Sequence, residues 1–437
     1  MMNVKNNKKT VKIKTSFTAQ RLTNYSGLLP VFKFMHKLGF FDKLGAVNLP
    51  LGRNIKYSTQ SIYGIIVLGL IAGMNRISKM ESFSRDALIQ ELFGLSGHID
   101  EDTIANRIKR FDFQYTNTLI EHIGQMSSKV HKQLGTDADI LDMDSTVKTT
   151  YGNQEGVSRG FNPHKKGASS YHPLLVFLNS TKECLLSWLR PGDAYTANNS
   201  SEFIKQAFSL LPSGIKDILV RADSGFFDGT LLSTIESYPG VKYLIKVKLK
   251  NLQSVLLSQS WEPIPGKQNY EMTKFEYKCA GWKQTRKFVA VRILKEKHEP
   301  GELLPKQGYE MFCYVTNIDA DPLAIHYLYG DRGTSENWIE AVKKQMFAGS
   351  MLTQDFWANE ALWQASILAY NITVWMRCLT DLKAARQEPA TFRYWFVLLA
   401  GKISKTARQV NLKMYDAYHY KDWWRRIEKG VDDIVFR

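Results

Sequence analysis

The chain has 437 residues, of which 44% are hydrophobic and 23% are charged. This composition excludes a disordered protein, and the length predicts more than one domain. Lys and Arg outnumber Asp and Glu by 58 to 42, giving a net charge of +16 and a pI near 9.4, which favours a polyanionic partner: a nucleic acid or an acidic membrane surface.

Neither export nor membrane insertion is predicted. The first twenty residues are rich in lysine and lack the apolar segment of a signal peptide. Residues 62–74 are the one apolar candidate for a membrane span, but they are shorter than the roughly 20 residues needed. We therefore expect a buried helix and no membrane partner. The four cysteines lie far apart, which predicts reduced thiols in a cytosolic protein.

The N-terminal part of the chain is predicted to be a flexible basic tail (1–20) followed by an all-α region (21–136). Between residues 28 and 134, apolar side chains recur every three or four positions, as they do on helices. Two short helices, 84–93 and 103–111, are expected, with Asp100 or Asp102 as the N-cap of the second.

The second of these short helices is basic. It carries Arg107, Lys109 and Arg110. One hypothesis is a DNA-binding element resembling a helix-turn-helix; the other is a solvated helix face.

After Gly135 the pattern changes to short strands alternating with helices. The predicted strands are 140–144, 171–178, 218–223 and 243–247, and the helices between them include 201–211 and 229–238. Such alternation is typical of an α/β fold with a mixed sheet covered by helices on both faces. Residues 137–248 are therefore predicted to be the first part of a core domain.

The next segment, 249–309, is predicted to be an inserted β-rich subdomain with strands at 274–278 and 287–293. Trp261 and Trp282 in this insertion are candidates for stacking on a base, with a local packing role as the alternative. Residues 310–380 return to the core with a strand at 310–315 and a helix at 356–379. Residues 381–437 are predicted to be helical and basic, with Lys402, Lys405, Arg408 and Lys413.

Two carboxylates each end an apolar run: Asp144 in Asp-Met-Asp-Ser-Thr and Asp223 in Arg-Ala-Asp-Ser-Gly-Phe. Both lie at the carboxyl ends of predicted strands, where open α/β sheets place their sites. Carboxylate oxygens are also the ligands that Mg²⁺ prefers. An aspartate at a strand end is a common turn residue, so each alone is a weak signal.

A third set of residues follows downstream in the pattern Tyr329-x2-Arg332-x3-Glu336-x6-Lys343. At about 100° per residue, these offsets place all four side chains within about 60° on one helix face. Two glycines weaken the first turn, so the helix is expected to begin near residue 334. Glu340 is the rival third acid, and a salt-bridged surface helix is the alternative reading of the whole set.

This spacing carries a family resemblance. The chain resembles bacterial insertion-sequence transposases of the Asp-Asp-Glu class, in the group marked by Tyr-x2-Arg-x3-Glu-x6-Lys. The segments 151–156, 160–163 with Lys165 and Lys166, and 171–175 are similar to the region after the first catalytic aspartate in one branch of that group. The resemblance covers at least residues 142–343.

The resemblance implies an RNase H-like catalytic core interrupted by a β-rich insertion. It further implies that Asp144, Asp223 and Glu336 bind two Mg²⁺ ions, with Mn²⁺ as a substitute, for phosphodiester cleavage and strand transfer. Phosphate contacts would come from Tyr329, Arg332 and Lys343, and further DNA contacts from Lys165 and Lys166 unless these two are simply solvated.

The partners implied are double-stranded DNA, as terminal inverted repeats and target, and a second copy of the chain in a synaptic complex. The location implied is the bacterial cytoplasm, at the nucleoid. Two alternatives stay open: a domesticated DNA-binding protein that has lost catalysis, and an RNase H-like nuclease.

Overall fold

The computed structural model describes residues 2–6, 9–47, 49–50, 55–160, 162, 165–297, 306–350, 353–381, 387–407 and 409–436. The described chain is a mixed α/β protein built around one large sheet, as predicted. Helices before and after the sheet pack together in a second, largely helical core.

The N-terminal region is mostly helical, as expected, but it opens with strands. Its elements are β1 (Met2–Asn6), β2 (Lys9–Ile13), β3 (Leu22–Thr23), α1 (Leu28–Leu38), α2 (Phe40–Gly45), α3 (Thr59–Ala72), α4 (Ile77–Ser84), α5 (Ala87–Phe93), α6 (Glu101–Ile108) and α7 (Phe113–Leu134). Strands β1 and β2 pair as an antiparallel hairpin within the segment that we predicted to be a flexible basic tail. The run Lys-Thr-Val-Lys-Ile contains three β-branched residues, which favour a strand over a coil.

Helix α3 corresponds to the apolar segment that we predicted to be a buried helix. Its residues are almost all buried, and the Ser58 side chain caps its first turn. No single helix of the described chain is long and apolar enough to cross a membrane. Helices α3 and α4 pass that test only as a pair, bent by 98°.

The first part of the core follows the predicted alternation closely. It contains β4 (Ala138–Ser145), β5 (Lys148–Thr149), β6 (Ser158–Arg159), β7 (Ser169–Tyr171), β8 (Leu174–Leu178), β9 (Cys184–Trp188), α8 (Ser200–Leu210), β10 (Asp217–Ala222), α9 (Gly229–Glu236) and β11 (Lys242–Lys246). Strands β4, β8 and β9 form an antiparallel meander, while β10 and β11 run parallel to β4.

The rest of the chain adds helices and a wide extension of the sheet. The elements are α10 (Gln253–Leu257), β12 (Glu262–Pro263), β13 (Tyr270–Tyr277), β14 (Arg286–Lys297), β15 (Lys306–Thr316), α11 (Pro322–Gly330), α12 (Ser335–Glu340), α13 (Phe356–Thr380), α14 (Pro389–Phe392), β16 (Gly401–Thr406), β17 (Gln409–Met414) and α15 (Lys421–Asp433). The described sheet has nine strands in the order β12-β13-β14-β15-β11-β10-β4-β8-β9.

The β-rich insertion is therefore not a separate subdomain, which corrects our prediction. Strand β15 pairs with the core strand β11, and β14, β13 and β12 follow it outward. The reason is that β11 would otherwise be an edge strand with unpaired backbone groups, and β15 supplies its partner. Residues 298–305, between β14 and β15, lie outside the described chain.

The opposite edge of the sheet is covered by the buried helix α13. Its Asn371 side chain accepts from the backbone N–H of Cys184 at 2.9 Å and donates to the Cys184 carbonyl at 2.8 Å. Nearby, Gln364 donates to the Ser187 carbonyl and Glu360 accepts from the Leu189 N–H, both at 2.7 Å. Polar side chains of a buried helix thus satisfy the free edge of β9.

The C-terminal region is not wholly helical, contrary to our prediction. Residues 401–414 form the antiparallel hairpin β16-β17, and β16 also pairs with β3 near the N-terminus. Ile403 is the one buried residue of β16, and the exposed Lys402 and Lys405 beside it belong to the run that we predicted to be a basic helix. Lys402 and Lys413 are exposed, Lys405 pairs with Glu91 at 2.9 Å, and Arg408 lies outside the described residues.

Candidate active site

Asp144 and Asp223 are brought side by side by the register of two parallel strands. Met143 in β4 and Ala222 in β10 are Cα partners, so the next residue on each strand is one of the two aspartates. Neighbouring strands lie about 4.8 Å apart. The Ser145 N–H donates to Asp144 Oδ1, and the Gly225 N–H donates to Asp223 Oδ1, both at 2.8 Å. Each carboxylate is therefore fixed by the turn that follows its strand.

The Tyr-Arg-Glu-Lys residues lie on a helical path that changes type twice. After α11 comes a 3₁₀ turn (Asp331–Thr334), then α12, then a π-helical turn (Ala341–Gln345). The single regular helix assumed by our angular estimate is therefore not present, although α12 begins at Ser335, close to the predicted start. Such π turns widen the helix and re-aim the side chains that follow.

Lys343, in the π turn, reaches back to the loop after β4. Its ammonium donates to Thr146 Oγ1 and to the Val147 carbonyl, both at 2.8 Å. Burial, with the neighbouring Lys344, lowers the pKa of Lys343. The helical path and the strand that carries Asp144 are thus tied together beside the candidate site.

Arg332 contacts Asp144 directly. Its Nη2 lies 2.9 Å from Asp144 Oδ2 and donates to the Met143 carbonyl at 2.9 Å. Burial by itself would lower the pKa of Arg332, but the nearby acidic groups, Asp144 first, together outweigh burial and the pKa is raised. Tyr329 packs its ring 4.9 Å from that of Tyr314, and burial raises its pKa to about 12.

Asp144 is the acid whose pKa is affected by both of the other candidate acids. Its pKa is raised to about 6, first by burial, against the opposing effect of Arg332, and then by the negative charges of Asp223 and Glu336. Both other acids are thus close enough to act on Asp144. Glu336 is exposed on α12, whereas its rival Glu340 forms an exposed ion pair with Lys344 at 2.5 Å.

The donor set was tested against the two metal ions that the resemblance implies. In the described chain, no three His, Cys, Asp or Glu side chains are close enough to hold one ion. A pair of adjacent carboxylates at Asp144 and Asp223 does suit one divalent ion, and the mutual repulsion that raises the pKa of Asp144 would be relieved by such a charge. The geometry therefore fits one divalent ion bound by Asp144 and Asp223.

Sequence reasoning missed a second ion pair beneath the site, between Asp142 and Arg221. Each precedes a candidate catalytic aspartate by two residues, so each lies on the same face of its strand. The sequence did contain a signal for this ion pair. Asp142 and Arg221 each stand two residues before a candidate catalytic aspartate, so the acid of one strand and the base of the other are at the same level of the sheet.

The predicted DNA contacts divide into exposed and buried residues. Lys165, Lys166, Lys109 and Arg110 are exposed, and Arg110 donates to the Pro50 carbonyl. Arg107 is buried and donates to the Tyr57 carbonyl at 2.9 Å and to Thr59 Oγ1 at 3.2 Å. The prediction that Arg107 contacts DNA was therefore wrong: it joins α6 to the start of α3. The second helix is capped by Asp100, which accepts from the Thr103 N–H.

A cavity of about 460 Å³ adjoins the aspartates. It is lined by polar and charged residues that include His172, Asp193, Thr196 and Lys248. Thr196 Oγ1 lies 3.1 Å from Ser145 Oγ, next to Asp144, and burial lowers the pKa of His172. Gly225, whose N–H holds Asp223, also lines this cavity, so the cavity lies beside the strand ends although neither aspartate lines it.

Both tryptophans of the insertion are half-buried and already have partners. The Arg286 guanidinium lies 4.8 Å from the ring centre of Trp282, which also packs against Phe288. Trp261 donates to the Leu256 carbonyl at 3.2 Å and is covered by Arg292 at 4.4 Å. The structure thus gives each ring a packing role, and base stacking stays a prediction that requires an arginine to move.

The structure thus places Asp144 and Asp223 at the ends of adjacent parallel strands, with Glu336 on α12 acting on the charge of Asp144. The sequence matches the protein family described as "Transposase DDE domain group 1" over residues 5–434, and the chain belongs to that family. The predicted membership of the Asp-Asp-Glu transposases is confirmed.

Other comparisons add less. No curated protein matches the sequence significantly. Among solved structures, the chain is similar to a piggyBac transposase in a cryo-EM structure of its synaptic complex with hairpin DNA. The identity is 14%, the match covers 86% of this chain and 81% of that one, and the TM-score is 0.47.

Proposed function

We propose that this protein is an active DNA transposase that cuts at the terminal inverted repeats of a mobile element and joins the ends to target DNA. The observation that carries the proposal is the placement of Asp144 and Asp223 at equal heights on parallel strands, with Glu336 near enough to raise the pKa of Asp144. Catalytic acids are commonly recognised by such mutual perturbation.

Each residue has a part in this proposal. Asp144, Asp223 and Glu336 would hold two Mg²⁺ or Mn²⁺ ions, which would supply activation of the attacking oxygen and stabilisation of the leaving one. Tyr329, Arg332 and Lys343 orient the phosphates next to the scissile bond, and Lys165 and Lys166 extend the basic surface. Backbone N–H groups of Ser145 and Gly225 keep the two aspartates in place.

We further propose that the strands β9-β8-β4-β10-β11 form an RNase H-like catalytic core. An antiparallel meander followed by two parallel strands on the far side of β4 supports this assignment. Because β4 and β10 are parallel, both aspartates lie at the same end of the sheet. The bacterial insertion-sequence origin, the nucleoid location and a homodimer that synapses two DNA ends complete the proposal.

The proposal is tested by cleavage of DNA carrying the element's ends, with Glu336→Gln and Glu340→Gln as a matched pair. Both substitutions remove one acid from the same helix. Because Glu336 acts on Asp144 while Glu340 pairs with Lys344, we expect Glu336→Gln to lose cleavage by at least about 10³-fold while retaining DNA binding, and Glu340→Gln to cut like the wild type. Equal cleavage by both variants would refute the assignment of the third acid.

The same assay separates the proposal from its alternatives. If the wild type binds the element's ends but does not cut with Mg²⁺ or Mn²⁺, the protein is a domesticated DNA-binding protein. If it cuts branched or hybrid substrates in preference to element ends, it is a nuclease. Cleavage confined to the terminal repeats supports transposition.

A further inference from the structure

The guanidinium of Arg332 forms an ion pair with Asp144, which is a candidate metal ligand. One nitrogen, Nη2, contacts both Asp144 Oδ2 and the Met143 carbonyl at 2.9 Å. Arg332 is only 7% exposed, and its Nε has no hydrogen-bond partner in the described part of the chain. The guanidinium is therefore held by Asp144, the Met143 carbonyl and the Tyr329 side chain, while Nε remains an unused buried donor.

A guanidinium and a divalent ion compete for this carboxylate. Both are cations, and both use the lone pairs of the same oxygen atoms, so bringing an ion to Asp144 repels Arg332 or requires it to turn away. A buried guanidinium that loses its carboxylate needs another anion, because an unpaired buried charge is costly. A DNA phosphate offers oxygen atoms that match the guanidinium fork.

We propose that Arg332 is an internal counter-cation of Asp144 that divalent metal displaces, and that the displaced guanidinium then binds a DNA phosphate. This inference rests on the proposed function and adds a consequence to it. Without metal, Asp144 competes with the DNA phosphate for Arg332, and without DNA, Arg332 competes with the metal ion for Asp144. Each ligand therefore tightens the binding of the other by the same factor.

The first test is the affinity for Mn²⁺ without DNA, measured by titration calorimetry on the whole chain at pH 8. We expect Arg332→Gln to bind Mn²⁺ about tenfold more tightly than the wild type, in the range typical of coupled sites. Lys344→Gln is the matched control. It also removes a positive charge from the same helical path, but Lys344 pairs with the exposed Glu340, so its affinity for Mn²⁺ should stay within about twofold of wild type.

Three results would overturn the inference or the function beneath it. Arg332→Gln binding equally or more weakly than wild type would show that Arg332 assists metal binding. Equal gains in both variants would show a general field effect without displacement. If the wild type itself binds no Mn²⁺, the metal-dependent function fails together with the inference.

The second test is the linkage with DNA. A duplex of inverted-repeat sequence should tighten Mn²⁺ binding to the wild type at least about fivefold and leave Arg332→Gln unchanged. Thermal unfolding checks that the variant is folded. If it is not, the wild type still decides: the Arg332 Nε–H resonance, assigned with Arg332→Lys, should shift on addition of Mg²⁺, and an unchanged resonance under saturating Mg²⁺ overturns the proposal.

Discussion

Arg221 and Asp142 form a two-pronged, fully buried ion pair directly beneath the candidate active site. Arg221 Nε lies 2.7 Å from Asp142 Oδ1, and Nη2 lies 2.8 Å from Oδ2. The remaining nitrogen, Nη1, donates to the Leu328 carbonyl at 2.6 Å. Leu328 immediately precedes Tyr329 in α11. One guanidinium thus joins the two strands that carry the aspartates to the helix that leads to Arg332 and Glu336.

We expect Arg221→Met to destabilise the protein by about 3–5 kcal/mol, because it leaves the Asp142 carboxylate buried without its counter-charge. The measurement is the free energy of unfolding in urea. Lys242→Met is the control: it breaks an exposed ion pair with Asp217 between β10 and β11 and should change stability very little. An Arg221→Met protein as stable as wild type would show that the pair is not structurally important.

A second stability prediction concerns the sheet edge covered by α13. Asn371→Leu keeps the volume of the side chain but leaves the N–H and C=O groups of Cys184 buried without partners. We expect a loss of about 3 kcal/mol in the free energy of unfolding. Asn106→Leu, at an exposed helical position, should have little effect. A loss shared equally by the two variants would contradict the role given to Asn371.

The raised pKa of Asp144 predicts how metal binding depends on pH. Since the pKa is about 6, Asp144 is protonated below that pH and cannot accept a metal ion. The affinity for Mn²⁺ should therefore fall as pH decreases from 7 to 5 and change little above 7. Calorimetry in two buffers of different ionisation enthalpy should detect proton release near pH 6 and much less at pH 8. A constant affinity across this range would count against Asp144 as a ligand.

In the metal-free protein, the raised pKa of Asp144 has the opposite effect: it favours stability at low pH. The folded state binds the proton of Asp144 more tightly than the unfolded state, because the pKa is 3.8 in the unfolded chain and about 6 after folding. The contribution of Asp144 to stability is therefore greatest below about pH 4 and is lost as pH rises through 6. Unfolding in EDTA, compared between wild type and Asp144→Asn, should show a difference that changes over this window.

Salt dependence tests the proposed DNA surface. Each neutralised phosphate contributes roughly −0.9 to the slope of log affinity against log salt. Replacing the exposed Lys165 and Lys166 with Gln should reduce the magnitude of that slope by about 2 units. The double Arg variant keeps the charge and should keep the slope. An unchanged slope in the double Gln variant would mean that these lysines are solvated and do not contact DNA.

The local pattern predicted most of the core. Strands β4, β10 and β11 and helices α8, α9 and α13 were placed within a few residues, because each has a strong apolar period and clear ends. The prediction that Asp144 and Asp223 lie at strand ends and serve one site needed only the general rule that parallel strands end at one edge of a sheet. The C-terminal hairpin was misread because Ile403 is the one buried residue of β16, so the strand carries no apolar period that would mark it.

By itself, the sequence determined the α/β class, the membership of the Asp-Asp-Glu transposases, and the buried character of α3. Tertiary structure alone decided that Arg107 is a packing residue, that the insertion widens the central sheet, and that Arg332 lies on Asp144. The physical reason is that periodicity and spacing show on which face of its own helix or strand a residue lies. Its burial, the pairing of a strand edge and the partner of a charge depend on segments distant in the chain.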